Sequence, residues 1–143
     1  MRRLMKSDSI DVLIVEDDPI TRMAERQLLE GAGYRCAEAE DGREAVEIAR
    51  LQPPRLVLLD LMMPGIDGFA VAEQLRADPR TRDIPIHCVS GLDFPAARRA
   101  AKKSGCEVFL PKPFELEGLV DVVTIALNSS PAKQETPVEV GGS

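Results

Sequence analysis

Short apolar runs alternate with amphipathic stretches five times along the chain, and that order leaves few architectures open. "IDVLIVE" (10–16), "YRCAEA" (34–39), "RLVLLD" (55–60), "IPIHCVS" (84–90) and "EVFL" (107–110) read as strands. The third is almost continuous in Leu and Val, the pattern of a strand buried on both faces. Pro19, after Asp17 and Asp18, opens the first helix, with Asp18 as its expected cap and Gly31 and Gly33 as its stop. Ile20, Met23, Ala24, Gln27 and Leu28 form a mostly apolar helical stripe. Further helices are predicted over 42–51, 68–78, 94–105 and 115–128. The last carries Leu116, Leu119, Val120, Val123 and Leu127 at helical spacing, whereas the helix over 94–105 is rich in Ala, Arg and Lys and only thinly anchored. Strict β–α alternation predicts an α/β fold: a doubly wound, five-stranded parallel sheet with right-handed crossovers and helices on both faces.

The 143 residues suit one domain with a sizeable core. Residues 1–9 are expected as an N-terminal arm, 10–128 as the domain, and the Pro/Ser/Gly/Glu-rich residues 129–143 as a disordered tail. A net charge of −6 offers little to neutralise a phosphate backbone and argues against direct nucleic-acid binding. "MRRLMK" is followed by no apolar segment of a secretory signal, and no run of about 18 apolar residues is present, so a cytoplasmic location without a membrane span is expected. Cys36, Cys88 and Cys106 are scattered without metal-ligand spacing and are expected as buried free thiols in a reducing compartment. His87, the single histidine, is expected as a packed residue of strand 4.

In open parallel sheets, function sits at the carboxyl ends of the strands. Strand 1 ends in Glu16, Asp17 and Asp18, strand 3 in Asp60, and strand 4 in Ser90, while strand 5 runs out through "LPKPF" to Lys112. Ending a buried strand on a carboxylate is costly unless the charge has a partner or a task. If strands 1 and 3 are neighbours, Asp17 and Asp60 crowd together with Glu16 at hand, and a hard divalent cation relieves the repulsion. Mg2+ fits such a site, taking one or two carboxylates, water and a phosphoryl oxygen. Lys112 supplies a second positive charge and Ser90 a hydroxyl donor. Asp60 is then a candidate nucleophile toward phosphorus.

"LIVEDDP", "LVLLDLMMPGIDG", "VSG" and "LPKPF" together resemble the receiver domain of bacterial two-component response regulators, of the single-domain, chemotaxis-receiver-like kind. The resemblance covers about residues 10–128. It implies a flavodoxin-like (βα)5 fold with strand order 2-1-3-4-5. It implies that Asp60 is the phosphoacceptor and that Asp17 binds Mg2+ directly, Glu16 through water. Asp60 and the backbone carbonyl of Met62 would complete the metal site, with Mn2+ as a substitute. Lys112 matches the phosphate-binding lysine, Ser90 the switch hydroxyl and Phe109 the switch aromatic. A cis peptide is expected at Lys112–Pro113. Met62 and Leu92 occupy the two positions that tune the lifetime of the phosphorylated state in the family. Arg55, where an acidic residue is common, and Gly91, where alanine is common, are departures. The implied donor is a histidine kinase or histidine phosphotransfer protein, the implied output a protein contact through helix 4, strand 5 and helix 5, in a monomer or a phosphorylation-dependent dimer.

Other chemistries fit less well. A haloacid-dehalogenase-type phosphatase needs a second Asp two residues after its nucleophile, and that position is Met62. A flavodoxin-like cofactor binder needs a phosphate-cradling loop after strand 1, where this chain has "VEDDP". A pseudo-receiver would lack a site residue, and none is missing. The expectation is a phosphoaccepting signalling domain rather than an enzyme. The starting Met and the tail favour a stand-alone receiver over a fragment cut in a linker.

Overall fold

In the computed structural model, residues 9–63, 68–91, 93–112 and 116–128 are described. Ten elements alternate: β1 (Val12–Val15), α1 (Pro19–Gly31), β2 (Cys36–Ala39), α2 (Gly42–Leu51), β3 (Leu56–Asp60), α3 (Gly68–Ala77), β4 (Ile86–Ser90), α4 (Pro95–Ser104), β5 (Val108–Pro111) and α5 (Leu116–Asn128). The strands form one parallel sheet in the order β2-β1-β3-β4-β5, as the resemblance implies.

Because side chains alternate across a strand, each central strand feeds two cores. Leu13, Val15, Val57, Leu59, Ile86 and Cys88 join residues of α2, α3 and α4 on one face. Val12, Ile14, Leu56, Leu58 and Val89 join Leu29 of α1 and Leu119, Val123 and Leu127 of α5 on the other. Every residue of β3 is buried, which is why its sequence reads as an unbroken apolar run. Each buried Leu, Val and Ile side chain contributes roughly 1.5–3 kcal/mol by leaving water.

Helix starts follow local chemistry. Asp18 caps α1 by accepting from the Thr21 backbone N–H at 3.0 Å, with Pro19 in the first turn. Asp41 caps α2 through the Glu44 N–H at 2.9 Å. α4 has no side-chain cap; it opens at Phe94–Pro95 and closes on Gly105 in the left-handed region at φ 110°.

One sequence reading is refined and one corrected. On α1 the stripe residue Leu28 packs against the core beside the buried Glu25 and Leu29, while Ile20 and Met23 are 73% and 51% exposed. The start of the apolar stripe faces solvent because a carboxylate occupies a core position, which hydropathy assigns to the solvent side. The cysteines are not all free: Cys88 and Cys106 form a disulfide across 18 residues, with Cα atoms 6.0 Å apart. Sequence spacing hides this pairing, because β4 and the turn entering β5 meet only in the folded sheet. Cys36 is free, its thiol pushed up to about 12 by burial. His87 lies inside β4, with burial holding its pKa below the usual value. Among the described residues, no helix is long and apolar enough to cross a membrane.

Candidate functional site

Register brings the candidate residues together. Val15 pairs with Leu59, so the residues that follow, Glu16 and Asp60, leave the sheet side by side. Asp60 pairs with Val89 and Ser90 with Pro111, which sets Ser90 and Lys112 at the same edge. The Lys112 N–H donates to the Ser90 carbonyl at 2.8 Å and fixes the chain beyond β5 against β4.

Glu16, Asp17 and Asp60 each present a carboxylate oxygen within 4.8 Å of the others. Glu16 and Asp60 are buried, at 3% and 4% exposure. Lys112 Nζ lies 3.3 Å from Glu16 Oε1 and 3.3 Å from Asp60 Oδ2, bridging both. The second oxygen of Asp60 accepts from the Met62 N–H at 3.0 Å, and the second oxygen of Glu16 from the Asp18 N–H at 3.2 Å. Each buried carboxylate therefore has one backbone donor and one ammonium contact.

The charge balance remains negative. Burial, and then the neighbouring Asp60 carboxylate, push Glu16 up to about 7. Burial works to lower Lys112, but the Asp60 and Glu16 carboxylates outweigh it and hold the ammonium above its usual value. Among the described residues, Lys112 is the ammonium paired with Glu16 and Asp60, and with Asp17 these carboxylates make an all-oxygen donor set that matches a hard divalent ion such as Mg2+.

Ser90 is buried at the end of β4. Phe109, on β5, is half-buried against the α2–α4 core, with the Arg98 guanidinium 4.7 Å from its ring centre. Met62 is 52% exposed beside the site. Leu92 and the expected cis peptide at Pro113 lie outside the described residues.

Three further residues support the site; of these, sequence reasoning marks Gly68 alone, as a turn and helix start with Asp67. Arg22 donates to the Glu16 carbonyl at 2.7 Å and pairs with Glu38 at 2.8 Å, tying α1 and β2 to the acidic end of β1. Glu25 is buried at 2% exposure, and burial followed by the Glu16 charge pushes it up to about 7. Gly68 lets α3 start against the end of β3: a Cβ there would meet Leu61 Cα at 2.5 Å and the Asp60 carbonyl oxygen at 2.7 Å. Only the glycine carried a sequence signal, through its place in "PGIDG".

Comparison with known proteins agrees with this geometry. The family model of the response regulator receiver domain matches residues 12–124. Response regulator MprA of Mycolicibacterium vanbaalenii is 39% identical over 78% of this chain, and the match spans 47% of that protein, so the chain covers about half the length of that relative. Protein PilH of Pseudomonas aeruginosa is 34% identical over 81% of this chain and 96% of its own length. The receiver domain of sensor histidine kinase PA1611 from Pseudomonas aeruginosa, solved with a magnesium ion coordinated in its active site cleft, superposes with a TM-score of 0.77 at 27% identity, covering 85% of this chain and 99% of that one. The chain belongs to the response regulator receiver domain family.

Proposed function

We propose that the chain accepts a phosphoryl group on Asp60 from a histidine kinase or histidine phosphotransfer protein and converts it into a change of protein contacts. The observation that carries this reading is the buried Asp60 carboxylate, bridged to Glu16 by Lys112 at 3.3 Å from each. The Met62 N–H holds one oxygen of Asp60 while the other faces Lys112. That carboxylate oxygen attacks phosphorus; the bond from phosphorus to the donor imidazole nitrogen breaks, and its electron pair stays on the nitrogen. Lys112 offsets negative charge on the phosphoryl oxygens and then ion-pairs with the product.

Glu16, Asp17, Asp60 and the Met62 carbonyl would hold Mg2+, or Mn2+ in its place, and PA1611's receiver supports this by its coordinated magnesium. When bound, the ion supplies positive charge to the phosphoryl oxygens. Because burial and the Asp60 charge favour a protonated Glu16, cation uptake competes with a proton there, and affinity should weaken as pH falls.

Ser90 and Phe109 would act as the switch: the hydroxyl turns to the phosphoryl group and the ring moves into the space it leaves, shifting α4, β5 and α5. The chemistry is confined to the domain's own phosphorylation and dephosphorylation, without turnover of a separate substrate. The output partner is a protein, with the receiver a monomer or a phosphorylation-dependent dimer.

The test is incubation with acetyl phosphate, with and without Mg2+, followed by intact-protein mass spectrometry. One phosphate should be added, and none to Asp60→Asn or after chelation. Undiminished labelling of Asp60→Asn would overturn the assignment.

A further inference from the structure

The only covalent cross-link among the described residues spans the element proposed to move. Cys88 is in β4, two residues before Ser90, and Cys106 is the second residue after α4. The bridged loop therefore contains the whole of α4. Both cysteines share a core cluster with Ala101 of α4, and the Cys106 N–H donates to the Ala101 carbonyl at 3.0 Å.

Besides packing on α3 and the contacts of Arg98 with Asp93 and the Phe109 ring, this helix is anchored by small side chains. Its buried residues are Ala97, Ala101 and Ser104, whose side chains bring small apolar areas to the core. Its start has no side-chain cap. At its far end, Arg76 of α3 donates to the Gly105 carbonyl from Nε and Nη2 at 3.1 and 2.7 Å and so holds the turn that carries Cys106. The disulfide joins that held turn to the centre of β4.

We infer that Cys88 and Cys106 form a redox-responsive site that gates the output movement: oxidised, the bond restrains α4; reduced, α4 is free to answer the event at Asp60. This rests on the proposed phosphoacceptor role. The co-reactant is a dithiol. Its thiolate attacks one sulfur of the bridge, giving a mixed disulfide and one protein thiolate; its second thiol displaces the other sulfur. The dithiol leaves oxidised as its own disulfide, and its two electrons and two protons reside on Cys88 and Cys106.

The bond is enclosed, Cys88 at 0% and Cys106 at 6% exposure, so a reductant reaches it only when α4 lifts. Phosphorylation and reduction thus favour the same displaced helix, and the coupling is reciprocal: each promotes the other.

The experiment uses the full chain in oxidised form, after dithiothreitol treatment, and as the Cys88→Ala/Cys106→Ala variant. In each, phosphate incorporation from acetyl phosphate is measured by mass spectrometry, and amide NMR shifts are recorded on adding beryllium fluoride with Mg2+. Asp60 should be labelled in all three. Shifts over residues 95–104 should be large in the reduced protein and the variant and several-fold smaller in the oxidised one. Beryllium fluoride should speed reduction by dithiothreitol about fivefold or more. Equal α4 shifts in oxidised and reduced protein, with labelling intact, overturn the gate and leave the phosphoacceptor reading standing. Absence of labelling in every form overturns both. Should the double variant not fold, the comparison of oxidised with reduced native protein decides alone.

Discussion

Replacing Glu25 by Met should stabilise the domain, and the gain should depend on pH in a defined way. Glu25 is buried on α1 at 2% exposure, and burial, reinforced by the Glu16 carboxylate, raises its pKa from 4.5 to about 7. A raised folded-state value means that the folded protein keeps a proton which the unfolded chain releases. The stabilising contribution is full below pH 4.5 and is lost as pH rises through the interval to about 7. Each pK unit corresponds to about 1.36 kcal/mol, so the full loss is on the order of 3 kcal/mol. Over the practical window from pH 5 to pH 8 the linkage relation gives about 2.5 kcal/mol. Met is unbranched, close in volume and without charge, so the variant lacks this loss while preserving packing. Urea unfolding of both proteins at pH 5 and pH 8 measures it. The stability difference, variant minus parent, should grow by about 2.5 kcal/mol toward the alkaline side. Glu16 titrates in the same range but is present in both proteins, so to first order it cancels from the difference. A difference equal at both pH values would show that Glu25 does not carry a buried, proton-linked charge.

Gly68→Ala should cost about 1–3 kcal/mol and slow labelling of Asp60, because the new Cβ would lie 2.5 Å from Leu61 Cα and 2.7 Å from the Asp60 carbonyl oxygen; unchanged thermal stability and labelling rate would refute the close approach. Arg76→Ala removes donors to Gly105, Arg82 and Ile84 carbonyls and should lower stability by about 2 kcal/mol. Faster amide exchange around Cys106 should accompany it, and unaltered exchange there would count against the clasp. Met62→Asn and Leu92→Glu, singly and together, should hasten loss of phosphate from Asp60, by about tenfold in the pair, or about 1.4 kcal/mol of barrier, because polar side chains can orient an attacking water where Met and Leu cannot. A phosphate-decay series in which the double variant matches the parent would remove these side chains from control of water access.

Much of this protein was readable from local pattern alone. Alternating apolar runs and helical stripes dictate the parallel sheet, since a strand such as "LVLLD" must be covered on both faces and each crossover supplies a helix. Strand ends, marked by Asp60, Ser90 and the acidic trio after β1, name the candidate chemistry because a carboxylate at the end of a buried strand is costly without a task. The Asp18 cap is local too, formed within one helical turn. What the sequence left undecided are contacts between segments far apart in the chain. Lys112 reaches Glu16 across 96 residues, and that distance closes only when β5 and β1 take their places in one sheet. Cys88 and Cys106 meet because parallel pairing returns the chain from α4 alongside β4. Glu25 turns inward because the contacts of α1 with β1, β2 and α5 set its rotation, against what hydropathy assigns to a glutamate. Periodicity reports which face of an element is mostly apolar; the rotation and register that bring particular atoms together are set by packing against partners that no local window contains.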